Sequence, residues 1–348
     1  MAHNFTLSVM KSLKHQFLSI RTVHALCELL NIPEQTLPQI IQSITYRNFK
    51  QKKKSGGYRT IEDPYNELKE IQDTLNDYLQ CVYFFCLPKG AHGFVATPDN
   101  DIKQKRNILS NAKVHLGSNY LLNIDLLDFF HHVTDDKIHL IFEQAPFHME
   151  QPLIELLIQL VSYNGRLPMG APTSPVLSNF ALIHLDKVLH DLAGSKKWYY
   201  SRFVDDMSFS SALPITQHDV HELDAVIIHH GFKMNKSKIK FYGLEDIKVI
   251  TGISLINDQL SLSDSYLNEL RKELQNLKHM NLVNGYYRTE PPSYMDKYKK
   301  SLQGRLQFVK MVLGANQSAY KELNHIWIHA NQIKQEEYGA MSWLDFDY

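Results

Sequence analysis

Trp198-Tyr199-Tyr200-Ser201-Arg202-Phe203-Val204-Asp205-Asp206-Met207-Ser208-Phe209-Ser210-Ser211 is the stretch on which the fold turns. Residues 198–203 read as one strand and 207–211 as its return, with Val204-Asp205-Asp206 as the turn between them. Aspartate is a poor strand residue, so two carboxylates flanked by apolar side chains need a reason. A third ends another strand: over 119–126, Tyr120, Leu122 and Ile124 alternate, and Asp125 follows. If that strand lies beside the hairpin, carboxylates from both converge. Adjacent carboxylates repel and raise each other's pKa unless a cation sits between them. Hard oxygen ligands with open positions suit Mg²⁺. Two such ions about 3.5–4 Å apart can activate a hydroxyl and stabilise the leaving oxygen of an in-line displacement.

Asp-Asp at a turn is commonplace on its own, so the weight falls on the segments around it. Ahead of Asp125, Ser55-Gly56-Gly57 is a turn between the basic residues Lys52, Lys53 and Lys54 and a short strand carrying Arg59. Arg can fork onto phosphate oxygens. Between the carboxylates lies Leu167-Pro168-Met169-Gly170-Ala171-Pro172-Thr173-Ser174-Pro175, a rigid loop feeding one helix over 173–192. Downstream, a helix over 218–230 ends at Gly231, and Gly231-Phe232-Lys233-Met234-Asn235-Lys236-Ser237-Lys238 follows. Apolar spacing predicts one or two helices in 7–30 and further helices over 68–82, 136–142 and 152–162. A second hairpin pairs 248–255 with 259–262 around Asn257-Asp258. After Ser263 the chain reads as helix to about 333. The composition shifts near 260 from mixed to almost all helical, which places a domain boundary there.

The composition of the 348 residues sets outer limits. At about 150 residues per domain the length suggests two domains. Hydrophobic residues make up 44% and charged residues 21%, an ordinary globular balance. Three cysteines are too few for a disulfide scaffold and fit a reducing, cytoplasmic setting. No run nears the ~20 apolar residues of a membrane span, and the N-terminus lacks a secretory pattern. Lys and Arg total 37 and so do Asp and Glu, so the chain is not globally basic. Its positive charge is patchy, at 52–59, 233–240 and 297–310, which permits local phosphate contacts. The 18 histidines have no partners at zinc-ligand spacing.

In order and wording these segments resemble a bacterial reverse transcriptase of the retron type. Asn123-Ile124-Asp125-Leu126-Leu127-Asp128-Phe129-Phe130 is similar to the first catalytic motif. The 167–175 loop with Leu177-Ser178-Asn179 resembles the motif packed under the incoming nucleotide. Phe203-Val204-Asp205-Asp206 resembles the Tyr-x-Asp-Asp turn, and 231–238 the next palm motif. Asn111-Ala112-Lys113-Val114-His115 and Ile250-Thr251-Gly252 resemble two elements that narrow the class to retrons, and Gly304-Arg305-Leu306 a thumb segment. His92-Gly93-Phe94 resembles a fingers turn beside the template.

The resemblance implies an α+β right-hand polymerase: N-terminal helices at 1–50, fingers and palm with antiparallel sheet at 51–260, and a helical thumb with a C-terminal extension at 261–348. It implies that Asp125, Asp205 and Asp206 hold two Mg²⁺ ions with the Leu126 carbonyl as a further ligand. Lys238 would protonate the leaving pyrophosphate. Lys54 and Arg59 would grip the triphosphate, and Met169 and Gly170 would sit beside the nucleotide. Phe130 would bar a 2′-hydroxyl, with Phe129 the competing candidate. Asn111, His115, Thr251, Gly252, Lys300 and Arg305 would contact RNA. The implied partners are a cognate structured non-coding RNA, dNTPs, the single-stranded DNA product and a separate effector protein. The implied reaction primes from a guanosine 2′-hydroxyl and yields multicopy single-stranded DNA, in the service of anti-phage defence.

Two positions depart from the pattern. Met169 stands where the family usually has Gln, which removes hydrogen bonding beside the nucleotide. Phe203 stands where it usually has Tyr, which costs only a hydroxyl. The competing readings are another defence or group II intron-like reverse transcriptase, and a catalytically silent nucleic-acid-binding scaffold. The retron elements weigh against the first and the intact aspartates against the second.

Overall fold

A computed structural model describes residues 5–53, 56–98, 105–287 and 294–332, without the side chains of 283–287. Lys54 lies outside the described residues, as does the C-terminal extension beyond 332. The chain divides into two compact units, 1–246 and 247–348.

The first unit opens with helices α1 (Leu7–Leu18), α2 (Val23–Leu30) and α3 (Leu37–Gln42). Strand β1 (Tyr46–Lys52) follows and pairs antiparallel with β2 (Tyr58–Pro64). The sequence reading misses β1, since it is exposed along most of its length and so carries no apolar alternation. Its basic residues project from a two-stranded ribbon. Helix α4 (Glu67–Phe84) buries Leu68, Ile71, Leu75, Leu79 and Val82 at helical spacing. The short α5 (Ile108–Lys113) starts in a capping box made by Asn107 and Ser110.

The central sheet has the order β4-β5-β3-β6, antiparallel throughout. Its strands are β3 (Tyr120–Asp125), β4 (Tyr199–Phe203), β5 (Asp206–Ser211) and β6 (Lys240–Tyr242). Strand β3 is interior, and Leu121, Leu122 and Ile124 are all buried. A strand covered on both faces loses clean alternation. Helices α6 (Asp135–Glu143), α7 (Gln151–Val161) and α10 (Gln217–His229) complete this unit together with two more. Those two replace the single helix expected over 173–192: α8 (Ser174–Ala181) and α9 (Ile183–Ser195), with a break at Leu182. The break lets Asn179 from one and Asp186 from the other reach the same arginine, Arg202.

The second unit begins with a three-stranded sheet, β7 (Lys248–Ile250), β8 (Ile253–Ile256) and β9 (Gln259–Ser261). The expected single strand over 248–255 is folded back at Thr251-Gly252. Both residues have positive φ, 47° and 85°, as a two-residue hairpin turn demands. Asn257 and Asp258 repeat the device between β8 and β9. Helices α11 (Asp264–Tyr287), α12 (Met295–Leu313) and α13 (Ser318–Asn331) follow. The division falls ahead of the compositional shift near 260 because β9 packs with α12.

Candidate active site

The register of β3 against β5 sets Asp125 directly opposite Asp206. Strand β4 returns through Val204-Asp205, with Phe203 paired to Asp206. Asp205 therefore occupies the tip of a two-residue turn. Carboxylate oxygens of Asp125, Asp205 and Asp206 all lie within 4.8 Å of one another. Asp125 is buried, Asp205 half-buried and Asp206 exposed. Although Asp206 as a residue is exposed, its carboxyl is tucked among its neighbours, and that desolvation with the charges of Asp205 and Asp125 pushes it well above the usual carboxylate range. Burial and Asp125 raise Asp205 as well, while Lys238 and Arg59 pull it back. Such a cluster stays fully ionised only if cations offset it.

Backbone bonds stitch the site from both sides. The Leu126 amide donates to the Asp205 carbonyl at 3.1 Å, and the Asn235 amide to the Asp125 carbonyl at 2.7 Å. The second bond brings the 231–238 segment under β3, and Lys238 Nζ reaches Asp125 Oδ2 at 2.8 Å. Although burial works against it, contact with Asp125 raises the Lys238 pKa, so the amine is held protonated.

The turn is strained, since Val204 is β-branched yet has φ of 63°. Three features over-determine it. Gly93 approaches so closely that a Cβ there would stand 2.7 Å from the Val204 nitrogen. Arg202 Nη1 donates to the Val204 carbonyl at 2.9 Å. Arg202 itself is sealed: it bonds Asp186 through Nε and Nη2 at 2.8 and 2.7 Å and Asn179 Oδ1 at 3.0 Å. Asn179 in turn donates to the Gly93 carbonyl at 2.9 Å. Neither Arg202 nor Asp186 stands out in the sequence, because their partners are distant in the chain. A charged residue in an otherwise apolar strand was the available signal for Arg202.

The reverse transcriptase (RNA-dependent DNA polymerase) family matches residues 51–255. The chain belongs to that family. Curated relatives of the retron type match it. Retron Ec86 reverse transcriptase of Escherichia coli is 26% identical, over 74% of this chain and 78% of its own length. Retron Ec73 reverse transcriptase of the same species is 30% identical over 64% and 72%, and retron Mx65 reverse transcriptase of Myxococcus xanthus 28% over 77% and 61%. A telomerase structure from Candida albicans, solved with a fragment of telomeric RNA, gives a TM-score of 0.43 at 10% identity over 87% of this chain and 67% of that one, a likeness too slight to build on. The chain is a retron-type reverse transcriptase, an RNA-directed DNA polymerase with an α+β right-hand fold.

The other residues singled out in this reverse transcriptase fall into two groups. Arg59 is exposed on β2, and its charge is felt at Asp205. Phe130 is half-buried, while Phe129 is packed in the core against Phe232. Met169 is half-buried, and Gly170 abuts β2. Lys300, Thr251 and Gly252 lie in the second unit, with Lys300 and Gly252 exposed.

Three of the residues expected to contact RNA have side chains that are buried or already engaged within the protein. His115 is 1% exposed, with its ring nitrogens each 2.7 Å from a serine hydroxyl, Ser210 and Ser201. Asn111 is equally buried. The His115 ring, just past the end of α5, is held between Ser201 of β4 and Ser210 of β5, whereas the Asn111 side-chain oxygen is buried without a hydrogen-bond partner. Arg305 is held by Glu273 at 2.7 Å and Glu269 at 3.3 Å and lies over the Tyr266 ring, so its guanidinium ties α12 to α11. Sequence spacing shows a basic run but not which of its members already have an acid. Among the described residues no helix is long and apolar enough to cross a membrane.

Proposed function

We propose that this reverse transcriptase binds a cognate structured non-coding RNA and copies part of it into multicopy single-stranded DNA, starting from a guanosine 2′-hydroxyl. The observation that carries the reading is the convergence of Asp125, Asp205 and Asp206 within 4.8 Å on a chain whose relatives are retron reverse transcriptases. A separate effector protein and a part in anti-phage defence, in the cytoplasm, belong to the same reading.

A pair of Mg²⁺ ions suits this site: the donors are all carboxylate oxygen, and their mutual repulsion is what a divalent cation relieves. Asp125, Asp205 and Asp206 would hold them, with the Leu126 carbonyl as a further ligand. Bound there, the ions supply Lewis acidity toward the attacking hydroxyl and the leaving pyrophosphate oxygen. The protein's own groups do the rest. Lys238 Nζ, held protonated beside Asp125, gives its proton to the leaving pyrophosphate oxygen. Arg59, with Lys54, grips the triphosphate. Phe130 stands under the sugar and clashes with a 2′-hydroxyl, so deoxynucleotides are selected. Met169 and Gly170 flank the nucleotide. Lys300 contacts backbone phosphate, and the Thr251-Gly252 turn contacts the cognate RNA.

The test is expression of the chain with its flanking genomic DNA, compared with Asp205→Asn. Short single-stranded DNA joined to RNA through a debranching-sensitive 2′–5′ bond, and absent in the variant, is the expected result. DNA without that linkage moves the enzyme to another priming class. No DNA in either overturns the reading as it stands.

A further inference from the structure

The loop that carries Met169 and Gly170 is fastened to the β1–β2 ribbon through one residue, Glu62. Its carboxylate takes a two-pronged bond from Arg166, with Nη1 to Oε2 at 2.7 Å and Nη2 to Oε1 at 2.8 Å. The same Oε2 accepts the Met169 amide at 3.2 Å. The Glu62 amide donates to the Met169 carbonyl at 2.7 Å. Gly170 closes the joint with φ of 136°, and a Cβ there would lie 2.8 Å from Ile61 Cγ2 and 2.9 Å from the Glu62 carbonyl. Glu62 is 5% exposed, so this is not a solvated surface pair.

Arg166 is also anchored on its far side. Its carbonyl accepts the Tyr163 amide at 2.8 Å, and the Leu167 amide beside it donates to Val133 at 3.0 Å. Val133 follows closely on Phe130. The Glu62–Arg166 pair thus links three segments: the strand bearing Arg59, the loop bearing Met169 and the stretch after Asp125 bearing Phe130. Each carries a group assigned above to the incoming nucleotide.

We propose that Glu62 and Arg166 are positioning residues that set the seat of the incoming deoxynucleotide by holding Met169 and Gly170 against β2. The proposal rests on the reading that Met169, Gly170 and Phe130 border the nucleotide. Neither residue touches the reacting atoms. A planar guanidinium clamped by two bonds fixes orientation as well as distance, which a single bond does not. Small misplacements of a substrate-bordering loop carry large kinetic penalties.

The experiment uses the full chain, poly(rA) primed with oligo(dT), and dTTP as the varied substrate. Glu62→Gln, which keeps shape but removes charge, is expected to raise the dTTP KM about tenfold while kcat stays within about twofold. Arg166→Gln is expected to do the same, and the double variant no more than the worse single one, since the residues act as a unit. Arg166→Lys, which keeps charge but loses the fork, takes the place of Glu62→Gln should that variant fail to fold. Asp63→Asn on the same strand, where the carboxylate pairs with Arg47 and Lys69, is expected to leave KM unchanged. A fall in thermal midpoint or in kcat with dTTP KM untouched overturns the proposal, since that is what a merely structural pair gives. Phe130→Ala and Met169→Ala separate the two readings. If they alter dTTP KM or admit ribonucleotides while Glu62→Gln alters nothing, the positioning role fails alone. If none of them has an effect, the nucleotide pocket itself is misplaced.

Discussion

Two aspartate–cation pairs lie on either side of the same hairpin and have opposite characters. Asp186 and Arg202 are both 0% exposed, 2.7 Å apart, with every prong of the guanidinium engaged. Asp125 and Lys238 are also close, at 2.8 Å, but the lysine side chain is 54% exposed and the aspartate 8%. In the first pair, desolvation is matched by a complete set of bonds, so the cation cannot leave and its work is to hold the Val204 turn. In the second, the cation is a point charge on a flexible stem with one side in water. It can swing from Asp125 to another oxygen while its own charge stays solvated. A sealed pair holds geometry, whereas an open pair can move a proton.

The largest expected effect lies between the two pairs. Asp205→Asn should lower primer extension on the order of 10³-fold or more, while the thermal midpoint holds or rises because a crowded carboxylate charge is gone. Breaking the sealed pair should be felt as stability. Arg202→Met leaves Asp186 buried without its cation, and a urea melt should show a loss of about 3–5 kcal/mol. Breaking the open pair should be felt as rate. Lys238→Gln should lower kcat about 10²-fold with a urea midpoint close to that of the parent. If Lys238→Gln instead unfolds the protein and Arg202→Met only slows it, the contrast is wrong.

A smaller effect sharpens the sealed side. Burial lowers the His92 and His115 pKa values to about 3, from an ordinary 6.5. Below 6.5 the unfolded chain takes up protons that the folded chain refuses. Stability is therefore full above about pH 6.5 and is lost as pH falls toward 3. At pH 5 each histidine should cost about 2 kcal/mol, and His115→Gln should flatten the urea midpoint against pH between 7 and 5. The smallest effect is expected of Phe203→Tyr, which adds a hydroxyl at the half-buried end of β4 and should change extension by no more than about twofold.

Much of the fold was legible because it is written in local pattern. The apolar run ending at Asp125, the hairpin with its aspartates and the glycine closing α10 each depend on residues a few positions apart. The same locality explains the misses. Strand β1 is polar and exposed, and it is a strand only because β2 lies beside it. The break at Leu182 follows no proline or glycine, and its effect is seen only at Arg202. Asn111 and His115 stand in a recognisable element, but a motif does not say whether its side chains are buried, as both of these are.

By itself the sequence determined the family, the order of the matched segments and the placing of Asp125, Asp205 and Asp206 at a strand end and a hairpin turn, since these reside in residue type and spacing. The tertiary structure alone decided which cations are taken and which remain open. Arg202, Arg166 and Arg305 find their acids on other elements, at Asp186, Glu62 and Glu273, whereas Lys238 keeps half its surface in water. Burial and ion pairing depend on the meeting of residues far apart in the chain, and no spacing rule along one strand or helix encodes that meeting.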